Sequence, residues 1–394
     1  MTDDAPAVGN GAFADGLASL RRKLKPKLVG WAPGDPALAQ QLAIEAQRPD
    51  AYDVPVPTLV HLLGVLLDYP TAGRAEKVAW SLYAQIDGEQ VILEHRKFGF
   101  TICRQPASKV AVSRIVGQLK TALKLVEAWL EPHARSQIDT GRATIANKFS
   151  EFDRRYRYFR QAADDAFTQA AAPPPPPSGQ GLDGLRLALA SHNAGVRHQH
   201  EGFFNSTAMV DAYFSRLEHW LTLLLAFRGR PLPASGLVGF LLSKWDAKLT
   251  EILPPSTRAR ETTLGEMRAL KARVRNPFAH GGVENDYGSL FFHLDGFGAI
   301  PGNFTRFRDS VRFQFIPVEH DDHQGHCLLF DRLDALLSQD DLELPHFLVE
   351  EGIDPAFDPA SLGHYAIAVT SQGEAEGYSR YWNDQWERNT NMDY

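Results

Sequence analysis

Cysteine is nearly missing from this sequence. Cys103 and Cys327 are the only two in 394 residues, too few and too isolated for a disulfide framework or a zinc site built on thiolates. No apolar run is long enough to cross a bilayer. The start, MTDDAPAVGNGAFADG, lacks the basic-then-apolar order of a secretory signal. Together these absences predict a cytoplasmic chain with reduced thiols, a frayed N-terminal tail and no membrane partner. No Gly-rich phosphate loop, no Gly-x-Ser-x-Gly elbow and no convincing internal repeat occurs, which argues against P-loop nucleotide hydrolysis and α/β-hydrolase chemistry. Histidines are more numerous, but His192 is not one helical turn from His198. His320, His323 and His326 have plausible metal spacing beside Asp321 and Asp322, yet EHDDHQGH has the composition of a polar loop. No metal and no cofactor is expected.

The chain is acidic overall, with a net charge of −7, which argues against a protein that coats nucleic acid. The average hides an asymmetry. Arg104 to Arg160 carries twelve basic and five acidic side chains, a net +7, whereas Pro317 to Tyr394 carries three and seventeen, a net −14. The first region could face phosphates and the second would repel them. The clearest boundary is AAAPPPPPSGQG, where Pro173 to Pro177 favour a stiff polyproline stretch. The expected organisation is therefore a mixed α/β N-terminal domain over 1–170, a Pro-rich linker over 171–181, a helical bundle over 182–316 and an acidic extension over 317–394.

Hydrophobic periodicity predicts an α+β protein. Val78 to Ile86 and Gln90 to Leu93 are β-rich runs around Asp87-Gly88, a type I′ hairpin signal, and Phe98 to Cys103 adds a third strand. Ile115, Leu119, Leu123 and Val126 recur at helical spacing, and another helix is expected from about Thr144 to Phe167. Beyond the prolines, helices are expected over Leu182 to His200 and Thr207 to Phe227, the latter with Val210, Phe214, Leu217, Leu221, Leu224 and Leu225 on one stripe. After a break at Gly229 to Pro233, Ser235 can cap a helix carrying Leu237, Phe240, Leu241, Trp245, Leu249 and Ile252, which ends at Pro254-Pro255. Thr263-Leu264-Gly265-Glu266 reads as a capping box, with Leu264, Met267, Leu270 and Val274 following on one face. Ser289 to Leu294, Arg312 to Ile316 and Tyr365 to Thr370 look like short strands. Helices that cannot bury their stripes alone predict a bundle of about four or five.

The stretch Val274-Arg275-Asn276-Pro277-Phe278-Ala279-His280-Gly281 carries the chemistry. It resembles the signature of HEPN-domain ribonucleases, an Arg followed by a polar residue and, after four to six positions, a His; here four residues intervene. The likeness covers about a quarter of the chain. On an ideal helix Arg275 and His280 would lie about 140° apart, so Pro277 must break or restart the helix, with Asn276 available as its N-cap, for both to face one pocket. Cleavage without a metal can use the RNA's own 2′-hydroxyl, provided one group moves protons near neutral pH and a fixed cation stabilises the phosphorane. His280 fits the first role and Arg275 the second, while Asn276 orients His280 or contacts phosphate. The resemblance implies a symmetric homodimer with two Arg–His pairs in one cleft, and an endoribonuclease of the toxin or antiphage-defence type cutting tRNA or other RNA, restrained by an antitoxin or sensor partner. The acidic C-terminal region is a place to look for such restraint.

Glu218 and His219 lie on the long helix where similar proteins place a polar residue lining the cleft, and Arg216, one turn from Trp220, could contact RNA; a solvated helix face is the alternative for all three and the plainer expectation for Arg216. Arg154, Arg155 and Arg157, interleaved with Tyr156, Tyr158 and Phe159, have the mixture that grips RNA. On a helix, though, Phe152, Tyr156 and Phe159 would pack inward and leave the arginines merely solvated. The competing class is a non-catalytic module that dimerises, binds RNA or nucleotide and acts with a partner enzyme.

Overall fold

The computed structural model describes residues 16–50, 53, 56–173, 182–275, 290–305, 310–312 and 318–392. The N-terminal tail, most of the polyproline stretch, Asn276 to Ser289 and the expected strand beyond Arg312 lie outside them. The protein is α+β, and it divides into two compact units. One holds the chain up to Gln137 together with the chain from Arg380; the other is Ile138–Ser379.

The first unit contains α1 (Leu17–Leu24), β1 (Trp31–Pro33), α2 (Pro36–Gln41), β2 (Glu45–Gln47), α3 (Pro57–Leu66), β3 (Thr71–Ala72), β4 (Val78–Ile86), β5 (Glu89–Arg96), β6 (Gly99–Arg104) and most of α4 (Val112–Asp139). The strands form one antiparallel sheet in the order β1-β4-β5-β6-β2, with β3 also on β4. The β4–β5 hairpin turns where the sequence predicts it, because Asp87 and Gly88 take φ of 52° and 85°, the pair of positive values a type I′ turn needs. Alternation sends Trp80, Leu82, Ala84 and Ile86 into one core with Val91, Leu93, Phe100 and Ile102. Leu24, Leu63 and Leu119 from α1, α3 and α4 join the same core. Helix α3 lies so close to the sheet that a β-carbon on Gly64 would fall 1.6 Å from Leu82.

The second unit begins with α5 (Phe149–Ala171) and α6 (Leu182–Phe227). Its boundary lies upstream of the prolines because α5, which precedes them, packs along α6. Asp153 meets Arg216, Tyr156 meets Tyr213 and Phe167 meets Gly202, so the two helices run antiparallel. The expected two helices over 182–227 are one continuous helix of 46 residues. Gly202 is no break: a β-carbon there would stand 2.7 Å from the Phe167 ring, so the glycine lets α5 approach. The whole predicted stripe from Val210 to Leu225 is fully buried, and Trp220 to Phe227 is buried on every side, as expected of a central helix.

Next come α7 (Gly236–Leu242), α8 (Trp245–Ile252) and α9 (Arg258–Leu270). A single helix was expected over the first two, but Ser243 and Lys244 are extended, and the Ser243 hydroxyl donates to the Phe240 carbonyl at 2.7 Å. That local bond competes with helix continuation. Ser235 makes no side-chain cap. The expected capping box at Thr263 falls inside α9; Thr257 is the N-cap, accepting from the Arg260 amide. Leu264, Met267, Leu270 and Val274 are all buried, as their spacing predicts.

The antiparallel strands β7 (Leu290–Leu294), β8 (Gly298–Thr305) and β9 (Ser310–Arg312) follow. Then come α10 (His320–Leu337), α11 (Glu343–Glu350), α12 (Pro359–Ala368) and α13 (Gln372–Asn391), the last crossing into the first unit. Two expectations are corrected here. EHDDHQGH opens a helix, because Glu319 and Asp322 form a reciprocal capping box. Tyr365 belongs to α12, where Asp358 caps and Pro359 occupies the first turn. The acidic stretch up to Ser379 is thus part of the second unit: Phe330 and Leu333 are buried, and Asp331 and Asp334 pair with Arg160 and Arg216. Among the described residues, no helix is long and apolar enough to cross a membrane.

Candidate functional site

Arg275 ends a five-residue π turn, Lys271–Arg275, that continues α9. Such widened turns are rare and recur at functional sites. Its Nε donates to Asp211 Oδ1 on α6 at 3.3 Å, its guanidinium carbon lies 5.9 Å from the Phe214 ring centroid, and about a third of the side chain is exposed. The arginine is therefore held from one side while part of its fork faces solvent. Asn276, His280 and the break expected at Pro277 lie outside the described residues.

A cleft of about 410 Å³ is lined by Glu218, Lys244, Trp245, Asp246, Arg268 and Lys271. Glu218 is partly exposed and 3.9 Å from the buried Lys248 ammonium, while Asp246 pairs with Arg268 at 3.0 Å. Lys271 rests over Phe214 and Trp245, 5.3 and 5.2 Å from the ring centroids, within the range of cation–π attraction. Burial pushes its ammonium below the ordinary lysine range; nearby Arg275 and Lys244 push the same way, and Glu218 and Asp246 oppose them. Lys271 therefore links two residues singled out by sequence, since it feels the charges of both Arg275 and Glu218. Asp211 and Lys271 were missed. Lys271 stands four residues before Arg275, on the same helical face, a signal that was legible.

The arginines of α5 do not line this cleft. Arg154, Arg155 and Arg157 are exposed beside Tyr158, whereas Tyr156 is buried. Arg157 pairs with Asp153 at 2.5 Å, and Arg154 bonds the Ser150 carbonyl in its own helix. The inward packing expected of the aromatics is seen in Tyr156 against Tyr213 and Phe330 and in Phe152 against His219.

Arg216 and His219 are not on a solvated face. Arg216 is 3% exposed, bonded to Asp153 and Asp334, and enclosed by the rings of Tyr156 and Tyr213 at 4.6 and 4.8 Å. Burial by itself would weaken the protonated guanidinium, but Asp334, Tyr213 and Asp153 together more than offset this and raise its pKa. His219 accepts from the Lys148 amide at 2.9 Å.

A second polar cluster ties α5, α6 and α10 together. His323 places Nδ1 3.0 Å from Ser206 Oγ and Nε2 3.1 Å from Asp164 Oδ1. The residue types match a hydrolytic triad, but Ser206 and His323 are completely buried, so no substrate reaches the hydroxyl. Cys327 beside them is equally inert, its thiol pushed up to about 11 by burial. Compared with known proteins, the chain matches no family model, no curated protein and no solved structure.

Proposed function

We propose that this protein is a metal-independent endoribonuclease of the HEPN type, acting as a cytoplasmic homodimer and serving as a toxin or antiphage effector. The observation that supports the reading best is Arg275 itself. It is clamped by Asp211 and Phe214 in a π turn beside a charged cleft that Glu218 lines. A catalytic cation must be fixed before substrate arrives, since preorganised charge needs no rearrangement during reaction.

In the proposed reaction, His280 takes the proton of a 2′-hydroxyl, whose oxygen attacks the adjacent phosphorus. The new O2′–P bond forms as the P–O5′ bond breaks, and the departing 5′-oxygen takes a proton from solvent, to which His280 returns the one it removed. Arg275 holds the non-bridging oxygens, whose negative charge grows in the phosphorane. The products are a 2′,3′-cyclic phosphate and a 5′-hydroxyl, and DNA is not cut. Arg154, Arg155 and Arg157, with Tyr158 exposed among them, would grip flanking RNA, tRNA included.

The test is incubation of the full chain with total RNA in EDTA, followed by mapping of the ends. The expected outcome is cleavage leaving cyclic phosphate ends, reduced by about 10²–10³-fold in Arg275→Ala, the scale seen when one preorganised donor is removed, and by about 10²–10⁴-fold in His280→Ala. Cleavage untouched by both substitutions, or abolished by EDTA, would refute the proposal. RNA binding with no cleavage would favour the non-catalytic module instead.

A further inference from the structure

Of the three cations lining the cleft, Lys244, Arg268 and Lys271, Lys271 stands nearest in sequence to Arg275 and has no role in the proposed reaction. Lys271 and Arg275 sit over the same Phe214 ring, at 5.3 and 5.9 Å from its centroid, with Lys271 also against Trp245. The carboxylates nearest to it are engaged with other partners, Glu218 with Lys248 and Asp246 with Arg268. Among the described residues, Lys271 has no carboxylate partner of its own. Two like charges side by side repel, and an anion reaching both relieves them. The aromatic walls hold a normally flexible ammonium in place, so less freedom is lost when a ligand arrives.

Lys271 and Arg275 stand at the two ends of one π turn, and two cations a turn apart suit a ligand that repeats its charge along a chain, as a nucleic acid strand does at every nucleotide. The cleft of about 410 Å³ opens at the same place, with Lys244 exposed on its rim. We propose that Lys271 forms a second phosphate subsite, taking the RNA phosphodiester next to the one held by Arg275. This assignment rests on the nuclease reading for the identity of its ligand.

The probe is a single-stranded 2′-O-methyl RNA oligonucleotide, which cannot undergo 2′-hydroxyl attack, so binding is read without turnover. Lys271→Gln should bind it about tenfold more weakly, the scale of one lost charge-assisted hydrogen bond. The slope of log affinity against log salt should fall by about 0.7, the share of one single-strand phosphate contact. Lys271→Arg should keep the wild-type slope. In the wild-type protein, the same RNA should shield Lys271 from amine acetylation read by mass spectrometry, a measurement that stands even where a variant fails to fold. An unchanged slope in Lys271→Gln with Lys271 unshielded would overturn the subsite; loss of cleavage in Arg275→Ala and His280→Ala would meanwhile leave the nuclease reading intact. Equal shielding by inorganic phosphate at matched phosphate concentration would mark a small-anion site and also overturn the RNA subsite. Wild-type protein that neither binds nor cuts RNA would remove both proposals.

Discussion

Arg216 has 3% of its side chain exposed, while Asp153 and Asp334 hold its two terminal nitrogens. A methionine there would match its bulk and leave the Asp334 carboxylate without its cation, while Asp153 keeps only Arg157. Arg216→Met should therefore destabilise the protein by about 3–5 kcal/mol, the usual cost of orphaning one side of a buried pair. A urea titration checks this; a loss under about 1 kcal/mol would mean that the carboxylates find water or other donors. None of it is legible in Ser215-Arg216-Leu217-Glu218, because the partners stand 63 and 118 positions away. A helical wheel can tell apolar from polar, but not a polar residue whose partners arrive from two other helices. The same limit hid Asp211, 64 residues from Arg275, whereas Arg275 and Glu218 are candidates that a local motif and a helix position flag in the sequence itself.

The elements that were readable are those whose cause is local. Asp87-Gly88 sets the hairpin through its own backbone angles, and the stripe from Val210 to Leu225 follows from helical period alone. Elements went wrong where a packing partner or a cap decided the outcome. Gly202 falls in the gap between the two helices expected over 182–227, yet it marks where Phe167 presses against α6. In an open helix, glycine to alanine gains about 1 kcal/mol. Here Gly202→Ala should instead destabilise by about 1–3 kcal/mol, because the added methyl meets a buried ring and overpacking outweighs propensity. Comparing its urea midpoint with that of Gly202→Ala combined with Phe167→Ala tests the cause. If the contact is responsible, the double variant will lose less than the summed losses of Gly202→Ala and Phe167→Ala measured singly.

At the scale of the molecule, burial lowers the pKa of His61, His95, His219, His323 and His346, so both units carry imidazoles kept neutral by the fold. Below the ordinary value of 6.5 the unfolded chain binds protons that these rings refuse. The unfolded state then holds more protons, and stability falls as pH falls from 6.5 toward the depressed native values. His323 meets Asp164, which favours its charged form, and His320 and Arg160, which oppose it, but burial dominates. The thermal midpoint should therefore drop between about pH 7 and about pH 5, and His323→Gln should show a shallower decline. An equally steep decline in that variant would take His323 out of the account. The uneven charge of the sequence also changes meaning at this scale, because Arg160 of the basic stretch meets Asp331 of the acidic one inside a single unit.

The helix that starts at Gln372 delivers its last residues to the unit containing β4, β5 and β6: Met392 accepts from the Lys77 amide at 3.0 Å, and Asn391 from the Lys97 ammonium at 2.9 Å. During translation, the sheet must therefore wait for some 240 residues of helical unit to be made before its final strap reaches it. A ribosome stalled anywhere in between would hold a β-rich unit still lacking its clasp.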